Sequence, residues 1–315
     1  MNRFIRYFNQ NRVKIIIAIL IVAFIIILVQ AINNILKEMQ TEEEPTEPVI
    51  QDSSRPVESV ITGEELTEKT TDNNLNIISQ FVEFCNNQEY ENAYNLLSQD
   101  CKDAVYSTLD SFVTNYCNKV FTTNMSYNLE LWYNASNAYT YRILYFENNI
   151  LSTGNINPTN NTEDYITVTE SEDGYKLNIN NFIERETINK SQNIEGTEIT
   201  ITINDRYIYR NYERYTITVR NNTDKTILLS EGTSGNDICL VDSNGVEYDS
   251  IINEVSLANL ELTPGVERTL DIRFYKMYNL YRAINSISFK NIILDMDAFE
   301  QDAGNTQKVN INIDI

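Results

Sequence analysis

The stretch MSYNLELWYNASNAYTYRILY, Met125 to Tyr145, is where the chain changes its period. Met125, Tyr127, Leu129, Leu131 and Tyr133 alternate with polar residues, and Tyr139, Tyr141, Ile143 and Tyr145 do the same around Thr140 and Arg142. A repeat of two belongs to a half-buried strand. Upstream the repeat is helical: Leu75, Ile78, Val82 and Cys85 fall at i, i+3, i+7 and i+10, and Tyr90, Ala93, Tyr94 and Leu97 make a second short stripe. Ser98 or Asp100 can cap a third helix, in which Val105, Leu109, Phe112, Val113, Tyr116, Cys117 and Val120 hold one apolar face. Downstream, Asp173-Gly174 between Tyr165–Thr169 and Tyr175–Ile179 signals a hairpin. Three helices and then an antiparallel meander predict an α+β layer with the long helix packed on a curved sheet.

Further upstream, Ile15 to Val29 is an unbroken apolar run, and the stretch continues through Ala31 and Ile32. Eighteen residues reach about 27 Å as a helix, close to the apolar thickness of a bilayer. Arg3, Arg6, Arg12 and Lys14 precede it and an acidic stretch follows, which puts the N-terminus in the cytoplasm and the bulk of the chain outside. Val29-Gln30-Ala31 keeps a cleaved signal as the rival reading; an anchor is preferred because the run exceeds the roughly 7–15 residues of a signal core. Residues 38–72 carry eleven acids, two bases and three of the five prolines, and are expected to be an acidic flexible tether. The expected organisation is thus 1–37 tail and transmembrane helix, 38–72 tether, 73–190 α+β domain and 191–315 a β-sandwich.

That last region reads as strand throughout. Thr197–Ile203, Arg214–Val219, Thr226–Leu229, Ile238–Val241, Val246–Tyr248, Arg268–Phe274, Ile284–Ile293 and Val309–Ile313 are short apolar-rich runs. Turn sequences such as Asn221-Asn222-Thr223-Asp224, Asp242-Ser243-Asn244-Gly245 and Thr263-Pro264-Gly265 separate them.

Two phrases add family resemblances. FVEFCNNQEYENAYNLLSQDCKDAV, followed by a long helix and paired strands, resembles the nuclear transport factor 2-like cone fold, in the versions found outside the membrane in Gram-positive bacteria. The resemblance covers about residues 73–183 and implies a cone that some members use as an enzyme pocket and others as a channel or cell-wall accessory part. YTITVRNNTDKTILL with LELTPGVERTLDIRF resembles the telokin-like, immunoglobulin-like domains of bacterial surface proteins over about residues 196–295, which implies binding or spacing.

Chemistry is constrained chiefly by what is missing. The chain has 315 residues, 45 acids against 24 bases, a net charge of −21 and no histidine. Triads that need an imidazole and histidine metal sites are excluded, and the acidity argues against nucleic acid as partner. Glu231-Gly-Thr-Ser234-Gly235 lacks the last glycine of a nucleophile elbow, and neither S-x-x-K nor a Gly-rich phosphate loop occurs. Asp242 to Asp249 hints at calcium, but its Gly245 stands fourth where an EF-hand needs it sixth, so a hairpin turn is the preferred reading. No cofactor is expected. Tyr139, Tyr141 and Tyr145 are pocket candidates, against the simpler reading as core aromatics. Arg206, Tyr207, Tyr209, Arg210, Tyr212 and Arg214 interleave bases and rings and form the candidate partner surface, with strand alternation expected to turn Tyr inward and Arg outward. Cys101 and Cys117 lie about 24 Å apart on one helix and cannot bond, whereas Cys85 with either stays open, beside the reading of four buried thiols. The expectation is a non-catalytic, single-pass envelope protein that binds another envelope protein or itself. A small-molecule or enzymatic cone pocket and a conjugation or secretion channel component are the alternatives.

Overall fold

The computed structural model describes residues 56–135, 138–147, 161–171, 174–278 and 283–315, all within one compact unit, Asp52–Ile315. The expected transmembrane helix, with Ile15 and Val29 at its ends, lies outside the described residues. Among the described residues no helix is long and apolar enough to cross a membrane.

The first helix, α1 (Glu68–Asn86), starts inside the stretch expected to be tether, because the Thr67 side chain accepts the Thr70 N–H and caps it. Its buried stripe includes Ile77, Ile78, Phe81, Val82 and Cys85. Ahead of it, a turn closed by the Glu58–Glu65 bridge donates Val60 N–H to Leu131 O and Ile61 N–H to Trp132 O. That contact covers the free edge of the first sheet, which would otherwise offer unpaired backbone groups.

The long third helix does not form. The second stripe forms α2 (Tyr90–Asn95), and in place of the third helix stand α3 (Gln99–Ala104), α4 (Leu109–Phe112), a π-helical turn Val113–Cys117, and α5 (Asn118–Val120). The interruption follows from Val105-Tyr-Ser-Thr108, four weak helix formers, the last of which caps the next helix by accepting Ser111 N–H. The π turn then lets two consecutive residues, Tyr116 and Cys117, both face the core.

The strands β1 (Met125–Ala135), β2 (Ala138–Glu147), β3 (Thr162–Ser171) and β4 (Gly174–Asn178) pair in chain order as an antiparallel meander. Alternation along β1 breaks at a bulge: Leu131 pairs with Tyr141 and Tyr133 with Thr140, leaving Trp132 as the extra residue. Leu131 enters the core under the helices, while Trp132 and Tyr133 both join a second cluster with Tyr165, Ile183, Ile208 and Tyr278.

Asn180 and Asn181, both at positive φ, turn the chain into β5 (Phe182–Asn193), as a tight turn of that hand requires. Phe182 packs in the first core, yet β5 pairs with β6 (Ile199–Tyr209) along its length, from Phe182 opposite Tyr209 to Asn193 opposite Thr200. With β7 (Glu213–Asn221) and β12 (Glu267–Phe274) it forms a four-stranded sheet ordered β12-β7-β6-β5. The facing sheet holds β8 (Ile227–Leu228), β9 (Ile238–Asp242), β10 (Glu247–Asp249), β11 (Glu261–Leu262), β13 (Ile284–Ile293) and β14 (Lys308–Asp314). Ile199, Ile201, Ile203, Tyr215, Ile217 and Val219 face Leu240, Ile287 and Phe289 across an apolar core.

The fold class therefore differs from the three-helix cone followed by an immunoglobulin-like sandwich. After the 19-residue α1 the helical content is short and broken, antiparallel sheet dominates, and one strand serves both halves. The expected boundary between residues 190 and 191 falls inside β5.

Candidate functional site

The arginine–tyrosine run does not follow the expected division into inward Tyr and outward Arg: the hairpin register sends Arg206 and Arg214 to opposite faces of the β12-β7-β6-β5 sheet. Arg206 turns inward. Its guanidinium makes two hydrogen bonds to Glu213, at 2.9 Å each, and one to Glu186 at 2.8 Å. Glu213 is fully buried and also accepts Lys276 Nζ at 2.7 Å and the Tyr215 hydroxyl at 2.9 Å. Burial pushes the Glu213 carboxyl up, but Arg206 and Lys276 outweigh it and hold the group below its ordinary value. This ionic knot closes one end of the sandwich core.

Arg210 sits in the β6–β7 turn and lies over Trp132 at 4.6 Å and Tyr165 at 5.3 Å. Its backbone N–H donates to Asn181 O, and Tyr278 N–H donates to its carbonyl. The residue thus joins the two halves through the Trp132 cluster, with cation–π attraction in place of an ion pair. Tyr209 is buried as well, stacked on Tyr212 at 4.3 Å and in contact with Phe182 at 5.2 Å.

The outward face keeps Tyr207 and Arg214, and register adds two residues that the sequence run did not contain. Arg273, Arg214, Tyr207 and Arg185 are aligned across β12, β7, β6 and β5. The Tyr207 ring has Arg214 at 4.3 Å and Arg185 at 5.5 Å, and Arg273 lies 5.1 Å from the Tyr212 ring. Carboxylates hold both ends: Arg185 meets Asp205 at 3.0 Å and Asp100 at 3.5 Å, and Arg273 meets Glu254 at 3.4 Å. Arg185 and Arg273 come from strands far apart in sequence, so only the sheet register brings them to Arg214. No local signal marks them.

The pocket candidates do not line a cavity together. Tyr141 and Tyr145 are fully buried: the Tyr141 hydroxyl accepts Asn74 Nδ2 at 3.1 Å, and the Tyr145 hydroxyl lies 3.1 Å from that of Tyr116. Tyr139 is half-buried at the core margin. Beneath them Asp164 is the one candidate for acid chemistry that the tyrosines point to. Burial raises its carboxyl above the ordinary range, against the pull of Tyr116 and of three backbone N–H groups. Those four donors are the Tyr116 hydroxyl and the N–H groups of Tyr165, Asn180 and Asn181, at 2.7–3.0 Å. They consume the carboxylate in holding the turn before β5. A cleft of about 540 Å³ does open between α3, the β3–β4 end and β5, lined by Ser98, Asp100, Lys102, Lys176 and Arg185 among others. It abuts the arginine row and not Asp164.

The remaining motifs resolve as structure. Asp242 accepts Asn244 N–H, Val246 N–H and the Tyr248 hydroxyl, which makes it a hairpin device, and no metal-ligating cluster occurs among the described residues. Ser234 caps a 3₁₀ turn. All four cysteines are free and buried. Because the third helix is broken, the straight-helix separation of Cys101 and Cys117 no longer applies; burial, and contact with Cys117, raise the Cys85 thiol.

No protein-family model and no curated protein matches the chain. A solved structure, "The crystal structure of a functionally unknown protein from Listeria monocytogenes EGD-e", aligns at 13% identity over 42% of this chain and 87% of that one, with a TM-score of 0.28. A likeness at that level carries no argument about fold or function.

Proposed function

We propose that the chain is a non-catalytic binding protein of the bacterial cell envelope, held at the membrane by its N-terminal apolar run and presenting the arginine–tyrosine face of the β12-β7-β6-β5 sheet to a protein partner. The observation that carries this reading is the outward row Arg185–Tyr207–Arg214–Arg273, in which the buried Tyr207 ring is stacked between two guanidiniums and the side chains of Arg185 and Arg273 are partly open to water. Such groups are rich in binding energy when a partner covers them. The filled tyrosine core and the fully engaged Asp164 favour binding over catalysis. The charge step from a basic start to an acidic continuation favours an outward orientation.

The test is photo-crosslinking in intact cells, with the reactive amino acid at Asp271, exposed on this face, or at Lys308 on the facing sheet as control. A defined envelope-protein adduct from position 271 and not from 308 is the expected result. Equal or absent adducts from both positions would remove the reading.

A further inference from the structure

We infer that the Arg214 position is the docking point for an extended acidic peptide segment of the partner. The inference rests on the binding reading above and adds the chemistry of what is bound. Arg214 and Arg273 are direct cross-strand partners on the outward face, an arrangement in which like charges repel. Arg273 has Glu254, and Arg185 has Asp205 and Asp100. The Arg214 guanidinium makes no hydrogen bond or ion pair among the described residues, and its Nε is buried without a partner. In a chain where acids outnumber bases 45 to 24, a guanidinium left facing another guanidinium with no carboxylate, offset within the chain by the Tyr207 ring alone, carries a residual cost. An incoming carboxylate removes it.

The neighbours indicate the kind of anion. Asp100, Asp205 and Glu254 show that side-chain carboxylates fit the guanidiniums of this row, and the Tyr207 ring holds the Arg214 fork in place, so that bidentate pairing loses little freedom. Four adjacent strands place the outermost residues of the row about 14 Å apart. Alternate side chains of an extended peptide advance about 6.6 Å, so three alternating carboxylates span about 13 Å. Arg214 stands about 5 Å from Arg273 and about 10 Å from Arg185 along the row, so such a segment can lie across the strands with its middle carboxylate reaching Arg214 and its flanks near Glu254 and Asp100.

The measurement is fluorescence anisotropy of a labelled heptapeptide alternating serine and glutamate, titrated with the full-length chain in detergent micelles. Arg214→Gln is expected to weaken binding about tenfold, as loss of a charge-assisted pair does. Arg220→Gln, at the far end of the same strand and already beside Glu267, is expected to change it less than about twofold, as rim charges do. Thermal unfolding of Arg214→Gln is expected to match or exceed the parent, which separates lost binding from lost folding. Peptide affinity unchanged by Arg214→Gln overturns the inference. A polyphosphate probe that binds where the peptide does not overturns the peptide assignment, and leaves the crosslinking result from position 271 to decide the surface itself.

Discussion

At the scale of single residues, Glu213 and Asp164 show how differently two buried carboxylates are used. Glu213 is held charged between Arg206 and Lys276, so Glu213→Gln leaves two cations under-compensated and is expected to cost about 3–5 kcal/mol in urea unfolding at neutral pH. Its folded-state pKa lies below the unfolded one. The unfolded chain therefore binds the extra proton first, and the stabilisation, complete above about pH 4.3, is lost as pH falls further. The gap between parent and Glu213→Gln should shrink across that window, which parallel denaturation at several pH values checks. Asp164 is raised instead, and its contribution runs the other way, weakening as pH rises through the unfolded value. Asp164→Asn turns an amide donor toward four donors and is expected to cost about 2–3 kcal/mol, with loss of amide-exchange protection at Asn180 and Asn181. Neither role was legible in the sequence. Arg206 and Arg214 look equivalent in an alternating run, but they lie on the two arms of a hairpin whose register pairs Arg206 with Tyr215 and Tyr207 with Arg214, so they take opposite faces.

Among the elements, strand positions were the most readable feature, because period two and Asn-, Asp- or Gly-rich turns act over a few residues. The eight runs beyond Asn193 lie where β6 to β9 and the later strands form. What escaped were interruptions: the bulge at Trp132, the break at Val105–Thr108, and the passage of β5 from one half to the other. The bulge and the crossing of β5 are decided by tertiary packing, and the break by weak helix formers and a cap inside an otherwise helical period. Gly235 illustrates a residue read for chemistry and used for packing. A Cβ there would meet the Ser250 carbonyl oxygen at 2.4 Å, where the Gly235 carbonyl also accepts Ser250 N–H. Gly235→Ala is expected to cost about 1–3 kcal/mol, measured as a lower urea midpoint with unchanged slope.

For the whole molecule, the shared strand makes a specific prediction. A fragment of residues 191–315 lacks Phe182–Lys190, so the sheet edge beside β6 is stripped and the partners of Tyr207, Tyr209 and Arg206 are gone. It is expected to lack the dispersed amide spectrum of a folded domain, whereas the chain from residue 56 onward should unfold in one transition seen alike by tryptophan fluorescence and far-ultraviolet dichroism. Trp132 is the chain's one tryptophan and sits in the cluster between the halves, so its emission reports on their separation. The turn ahead of α1 carries a mechanical consequence as well. Ser59, Val60 and Ile61 are hydrogen-bonded to Leu131 and Trp132, so a pull on the chain at Pro56 loads the bulged strand before any other. The force would pass through Trp132 to Arg210 and the β6–β7 turn, two strand partners away from the outward arginines. Tension at one end of this molecule would thereby be felt at the outward face of the β12-β7-β6-β5 sheet.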